Sequence, residues 1–146
     1  MNKSSFDHVL LLGDAAGQVK ATTGGGIIML LIAAKYAAYC IKKCFLYGRF
    51  SQKFIKKHYE SNCLAMIGKQ LKIHYMMRKL FETLTDEDYQ EIFHVIKKTD
   101  VGKVISLHGD MDFPRELILQ LLKNKGFIKF LLKYWIKHPL TLFNII

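Results

Sequence analysis

Two short runs carry the residue types that could do chemistry: Gly13-Asp14-Ala15-Ala16-Gly17, and a little further on Gly24-Gly25-Gly26-Ile27. An ionised Asp14 is an acceptor-only group, suited to the O–H donors of a sugar or ribityl chain. Three consecutive glycines let the backbone approach a flat ligand closely and present bare N–H groups. If a helix begins near Gly26, its positive dipole end points at whatever lies in that loop. One carboxylate for hydroxyls beside an electropositive backbone cradle suits a polyhydroxylated cofactor whose ring becomes anionic on reduction. Reduced flavin is such a ligand.

The elements around these runs place them at a strand-to-helix crossover. The apolar stretch His8-Val9-Leu10-Leu11-Leu12 reads as a strand over about Asp7 to Leu12. Gly13 to Thr23 reads as loop. Ile27, Leu30, Leu31, Ala34, Ala38, Ile41 and Phe45 recur at helical spacing, which predicts a helix from about Gly25 to Phe45 ended by Gly48. A second helical region covers about Ser51 to Leu84, with Gly68 a point of bending. Thr85 is an N-cap, and Asp86, Glu87 and Asp88 put negative charge in the first turn of the next helix. Gly102 and Gly109 bracket a short helix, Asp112 and Pro114 start another, and Gly126 separates it from a last helix that Pro139 stops. The expected fold is mainly α: one N-terminal strand, a ligand-binding loop and a largely helical C-terminal region. The expected division is a piece from residue 1 to 45 holding strand, loop and first helix, and a helical region from 46 to 146.

GDAAGQVKATTGGGI resembles the second flavin-binding motif of the geranylgeranyl reductase family of FAD-dependent oxidoreductases. His108-Gly109-Asp110-Met111-Asp112-Phe113-Pro114 resembles the GDMD-x-P segment of the archaeal members, and Leu84-Thr85-Asp86-Glu87-Asp88 the helix start between the two. The motifs stand in the family's order over nearly the whole chain. The resemblance implies an α/β FAD-binding fold of which this chain is the C-terminal part. It also implies that Asp14 binds FAD through hydroxyls and that Gly26 and Ile27 give backbone contacts near the ring. Gly13 and Gly25 shape the same site. At position 21 the family commonly has proline where this chain has Ala21, which leaves the loop less ordered by about 0.4–1 kcal/mol.

Two family features have no counterpart here: the GxGxxG turn that binds the pyrophosphate, and a later Y-x-W-x-F-P-K cavity motif. No catalytic residue is therefore assigned. The expectation is the C-terminal portion of a flavin-dependent reductase that saturates isoprenoid C=C bonds of digeranylgeranylglycerophospholipids, partnered by a separate N-terminal half or surviving as a remnant. Alone it is expected to be inactive. Two rivals stay open: another flavin enzyme of the superfamily such as a hydroxylase, and a non-catalytic membrane-associated helical protein.

Composition narrows the remaining classes. Half the 146 residues are apolar (51%) and the formal charge is +10, which excludes disorder and points to an anionic surface or partner. Three cysteines suit no disulfide framework and no signal peptide is evident, so the expected setting is cytoplasmic. Cys40 and Cys44 lack a second ligand pair, the six histidines form no HxxxH pattern, and Asp110 with Asp112 lacks the other ligands of a calcium loop, so no metal is expected. Ile27 to Ala34 is apolar but Lys35 interrupts it, short of the ~20 residues that cross a bilayer. Lys125, Lys129, Lys133 and Lys137 form one basic stripe among Phe127, Phe130, Tyr134 and Trp135. That pattern suits peripheral contact with an anionic membrane, or a solvated face over an ordinary core. No nucleic-acid motif accompanies the lysines.

Overall fold

The computed structural model describes residues 3–139. The chain divides into two compact units, Met1–Lys72 and Ile73–Ile146.

In the first unit the chain opens with a hairpin rather than the single strand expected over Asp7 to Leu12. Strands β1 (Ser5–Phe6) and β2 (Val9–Leu10) pair antiparallel, with Ser5 opposite Leu10 and Phe6 opposite Val9. Asp7 and His8 form the turn, His8 with φ +61°. With no neighbouring sheet strand among the described residues, the backbone groups pair within the segment itself. Helix α1 (Ile27–Tyr47) follows and ends where Gly48, at φ +61°, donates its N–H to the Cys44 carbonyl. Ser51 then caps α2 (residues 52–81), whose first part, to Lys72, belongs to this unit; the Ser51 side chain accepts from the Phe54 N–H.

The buried stripe of α2 is Ile55, Tyr59, Cys63, Ile67 and Leu71, a strict four-residue repeat. An α-helix turns about 100° per residue, so each four-residue step overshoots by about 40° and the stripe would wander off its face. Two π-helical turns, Lys56–Glu60 and Leu64–Gly68, are wider and bring it back. The facing stripe of α1 is Met29, Ala33, Ala37, Cys40 and Cys44. Small side chains there let the two helices approach closely. Burying Ile67 completely puts the cost of trimming it to alanine at about 2–5 kcal/mol.

The inward face of α1 is thus small and its outward face large: Ile27, Leu31, Phe45 and Leu46 are 61–77% exposed. A helix apolar all round belongs to an interior.

The second unit is helical: α3 (Asp86–Lys98), α4 (Val101–His108), α5 (Arg115–Leu121) and α6 (Lys125–Lys137). Thr85 and Asp88 form a reciprocal capping box at the start of α3. Asn124, not Gly126, marks the start of α6, its side chain accepting from the Phe127 N–H. Gly126 lies in the first turn because a Cβ there would stand 2.7 Å from the Thr99 methyl carbon. Among the described residues no helix is long and apolar enough to cross a membrane.

Candidate functional site

The acidic turn is built by two left-handed glycines. Gly13 (φ +62°) opens a single 3-10 turn, Gly13–Ala16, and Gly17 (φ +67°) closes it. Gly17 N–H donates to the Asp14 carbonyl at 2.9 Å, and Gln18 N–H to the Gly13 carbonyl at 2.9 Å. This leaves the Asp14 side chain exposed at the apex. The glycine loop closes on itself through Lys20 N–H to the Gly25 carbonyl (3.0 Å) and Gly24 N–H to the Lys20 carbonyl (2.9 Å). Gly24, at φ +68°, makes that reversal possible.

The two runs meet at the start of α1. Gly26 is its N-cap residue, and no side chain caps the helix. A Cβ on Gly26 would lie 3.7 Å from Asp14 Oδ1 and 3.4 Å from the Gln18 carbonyl. The Asp14 carboxylate and the free N–H groups of the first turn of α1 therefore sit side by side, a fixed acceptor next to fixed donors. Gly13, Asp14, Gly25, Gly26 and Ile27 are brought into one place. Ile27 turns its side chain outward, 77% exposed, so its backbone is the part that faces the turn's chemistry. Gly25 has its N–H engaged by the Thr23 hydroxyl at 3.3 Å.

A buried polar network holds the turn from behind. Gln18, fully buried, accepts from Gly13 N–H through Oε1 (2.9 Å) and donates through Nε2 to the Tyr59 hydroxyl (2.8 Å). Tyr59 Oη in turn donates to the Leu11 carbonyl at 2.6 Å. The residues just before and at the start of the turn are thus tied to the first π-helical turn of α2. The next residue, Glu60, is also buried and gathers Ser4 N–H (2.8 Å), Ser4 Oγ–H (3.1 Å) and Ser5 Oγ–H (2.8 Å) on one carboxylate oxygen. Burial pushes the Glu60 pKa up, but the Ser4 amide, the two serine hydroxyls and Lys56 outweigh it and hold the carboxyl below its ordinary value. Burial also raises the Tyr59 pKa, against the Gln18 hydrogen bond, so its phenol remains a donor.

Three residues of this arrangement were given no site role by the sequence reading: Gln18, Tyr59 and Lys20. Lys20 is only 8% exposed, and its Cε lies 3.2 Å from where a Gly25 Cβ would be. Its signal was a lysine inside a glycine-rich loop. Tyr59 carried no local signal at all.

The other sequence candidates have local roles. Asp110 Oδ1 accepts from Asp112 N–H (2.7 Å) and Phe113 N–H (3.1 Å), a turn that leads into α5. Cys40 and Cys44 are buried with their sulfurs 4.0 Å apart. Among the described residues no three His, Cys, Asp or Glu side chains are grouped to hold a metal. The lysine stripe on α6 splits. Lys133 pairs with Glu91 at 2.8 Å and Lys137 with the buried Asp88 at 2.9 Å, while Lys125 and Lys129 are exposed.

Comparison with known proteins finds relatives over most of this chain. The chain is 32% identical over 120 residues to digeranylgeranylglycerophospholipid reductase 2 of Methanothermobacter thermautotrophicus, covering 80% of this chain. It is 33% identical over 104 residues to the digeranylgeranylglycerophospholipid reductase of Methanothrix thermoacetophila, covering 71% of it. The chain belongs to the geranylgeranyl reductase family over the part it spans. A further relative is an uncharacterized protein of Methanocaldococcus jannaschii, 31% identical over 124 residues. The chain spans between a quarter and a third of the length of these relatives: 31% of the first, 26% of the second and 31% of the third. No protein-family model matches it. No solved structure matches it significantly.

Proposed function

We propose that this chain supplies the flavin side of an FAD-dependent geranylgeranyl reductase acting on isoprenoid C=C bonds of archaeal-type membrane phospholipids. The observation that carries the reading is the Asp14 carboxylate standing beside Gly26 at an uncapped helix start. The residues present fit such a cofactor. An acceptor-only side chain suits the ribityl hydroxyls. The backbone at Gly25 and Gly26 is bare where a methyl group would crowd Lys20, Thr23 and the Gln18 carbonyl.

When bound, reduced FAD would supply the hydride that saturates the C=C bond. The chain's own part is to bind and orient. Asp14 would hold a hydroxyl, the α1 N-terminus would favour negative charge on the ring, and the Gln18–Tyr59 pair would keep the turn in register. The outward apolar face of α1 would be covered by the remaining portion of the family's fold, whether on the same polypeptide or on a separate N-terminal half. The exposed lysines of α6, Lys125 and Lys129, with Ile136 and Trp135, would give peripheral contact with the membrane that holds the substrate.

Reconstitution tests the reading. The chain is mixed with the N-terminal portion of a family enzyme carrying GxGxxG, and retained flavin is read from its visible absorbance. Asp14→Ala is expected to cut retention at least tenfold while circular dichroism stays unchanged. Equal retention in the variant would refute the assignment. The 146-residue chain alone is expected to bind FAD weakly, and a stoichiometric yellow complex would show that expectation wrong.

A further inference from the structure

A basic cleft lies at the opposite end of α1 from Asp14, about 30 Å away along a helix of this length. Between the end of α1 and the first turns of α2 a cleft of about 810 Å³ opens. Its cations come from three places: Lys43 on α1, Arg49 in the connecting turn, Lys53 and Lys57 on α2. Among the described residues no carboxylate lines it, and none of the four forms an ion pair. In the second unit, by contrast, Lys79, Lys103, Lys133 and Lys137 each have an acid within 4 Å. Unneutralised like charges around a concave surface focus a positive potential that an anion relieves.

The histidine in the cleft is set as a donor. Lys43 Nζ donates to His58 Nδ1 at 3.4 Å, which leaves Nε2 as the protonated nitrogen of the neutral ring. The ring packs on Phe54 with centroids 4.4 Å apart. Burial, with Lys43 and Lys57 nearby, lowers its pKa, which holds the ring neutral and keeps Nε2–H as its donor. Tyr47, Phe50 and Phe54 make the rest of the wall apolar. Cations and aromatic rings lining one cleft suit a charged group esterified to a less polar body.

We propose that this cleft binds a phosphate ester, the chemistry shared by a phospholipid headgroup and a soluble glycerol phosphate. The inference stands apart from the flavin reading, since it uses none of the residues around Asp14.

Two probes separate the sources. Isotope-labelled chain is titrated with glycerol 3-phosphate at constant ionic strength and followed by NMR. The same chain is sedimented with vesicles of phosphatidylcholine, with and without phosphatidylglycerol. The expected result is saturable shifts at Lys43, Arg49, Lys53 and His58, the His58 ring titrating at higher pH with ligand present. R49Q/K53Q, both exposed, is expected to weaken binding at least tenfold. K97Q/K98Q, a charge-matched change in the second unit, is expected to leave it within twofold. Saturable binding of the soluble ester identifies a small ligand, and binding only to phosphatidylglycerol vesicles, lost in R49Q/K53Q, identifies a headgroup. Absence of binding to both probes, or equal loss in the two double variants, would overturn the proposal.

Discussion

Replacing Tyr59 by phenylalanine removes one oxygen and tests whether the acidic turn is held from behind. That oxygen donates to the Leu11 carbonyl at 2.6 Å and accepts from Gln18 Nε2 at 2.8 Å. Both bonds vanish while the ring and its packing stay. A typical hydrogen bond contributes about 0.5–1.5 kcal/mol net, and a buried group left without a partner costs about 1–3 kcal/mol. Gln18 keeps a weak contact to Cys63 Sγ at 3.6 Å, so the Leu11 carbonyl is the more fully stranded group. Tyr59→Phe should therefore destabilise the first unit by about 2–3 kcal/mol in urea unfolding followed by far-ultraviolet circular dichroism. Gln18→Leu should cost a similar amount, because it strands the Gly13 N–H while Tyr59 keeps its bond to the Leu11 carbonyl. Residues in one network do not add, so the double variant should fall short of the summed costs by about 0.5–3 kcal/mol. Strict additivity, or a Tyr59→Phe cost under about 0.5 kcal/mol, would show that the turn stands without this support.

Glu60 gives the first unit an acid-sensitive anchor. Its folded pKa is depressed, so its contribution is complete above the unfolded value and fades as pH falls through the folded one. Stability should drop below about pH 4.3, with a slope of at most about 1.4 kcal/mol per pH unit for one proton, and Glu60→Gln should flatten that slope. An unchanged slope in the variant would contradict the reading. The thiols should be inert in the folded protein. Cys40 is pushed up to about 12, by burial first and then by Cys44, and Cys63 to about 11 by burial. At about pH 8 a disulfide reagent should label none of the three cysteines until the chain is unfolded in guanidinium, since all three are buried and, for Cys40 and Cys63, the reacting thiolate is disfavoured. Rapid labelling of any of them in native buffer would show an open core.

What was legible in the sequence is what local physics decides. The first helix was readable because its apolar spacing follows the α period and Gly48 supplies the left-handed stop; it runs Ile27–Tyr47 against an expected 25 to 45. The α3 start was readable because Thr85 and the acids after it cap a helix wherever they occur. The strand was misjudged in form, since strand pairing depends on a neighbour that the segment does not specify, and here the neighbour is the segment itself. Gly126 was misread as a boundary because its reason is a tertiary one, the Thr99 methyl against its α-carbon. The π-helical turns were present in the text as a four-four-four-four repeat of Ile55, Tyr59, Cys63, Ile67 and Leu71, a period no α-helix keeps on one face.

The site divides the same way. Asp14 and Gly26 were joined in advance because a short loop forces the ends of a motif together. Gln18 and Tyr59 were not, because a buried amide and a buried phenol satisfy each other only across packed elements. Tyr59 and Glu60 both lie in the π-helical turn Lys56–Glu60, and both reach the N-terminal segment. One then grips Leu11 and Gln18, and the other Ser4 and Ser5. The irregularity of α2 is thus coupled to the position of the Asp14 carboxylate through a chain of hydrogen bonds no longer than 3.1 Å.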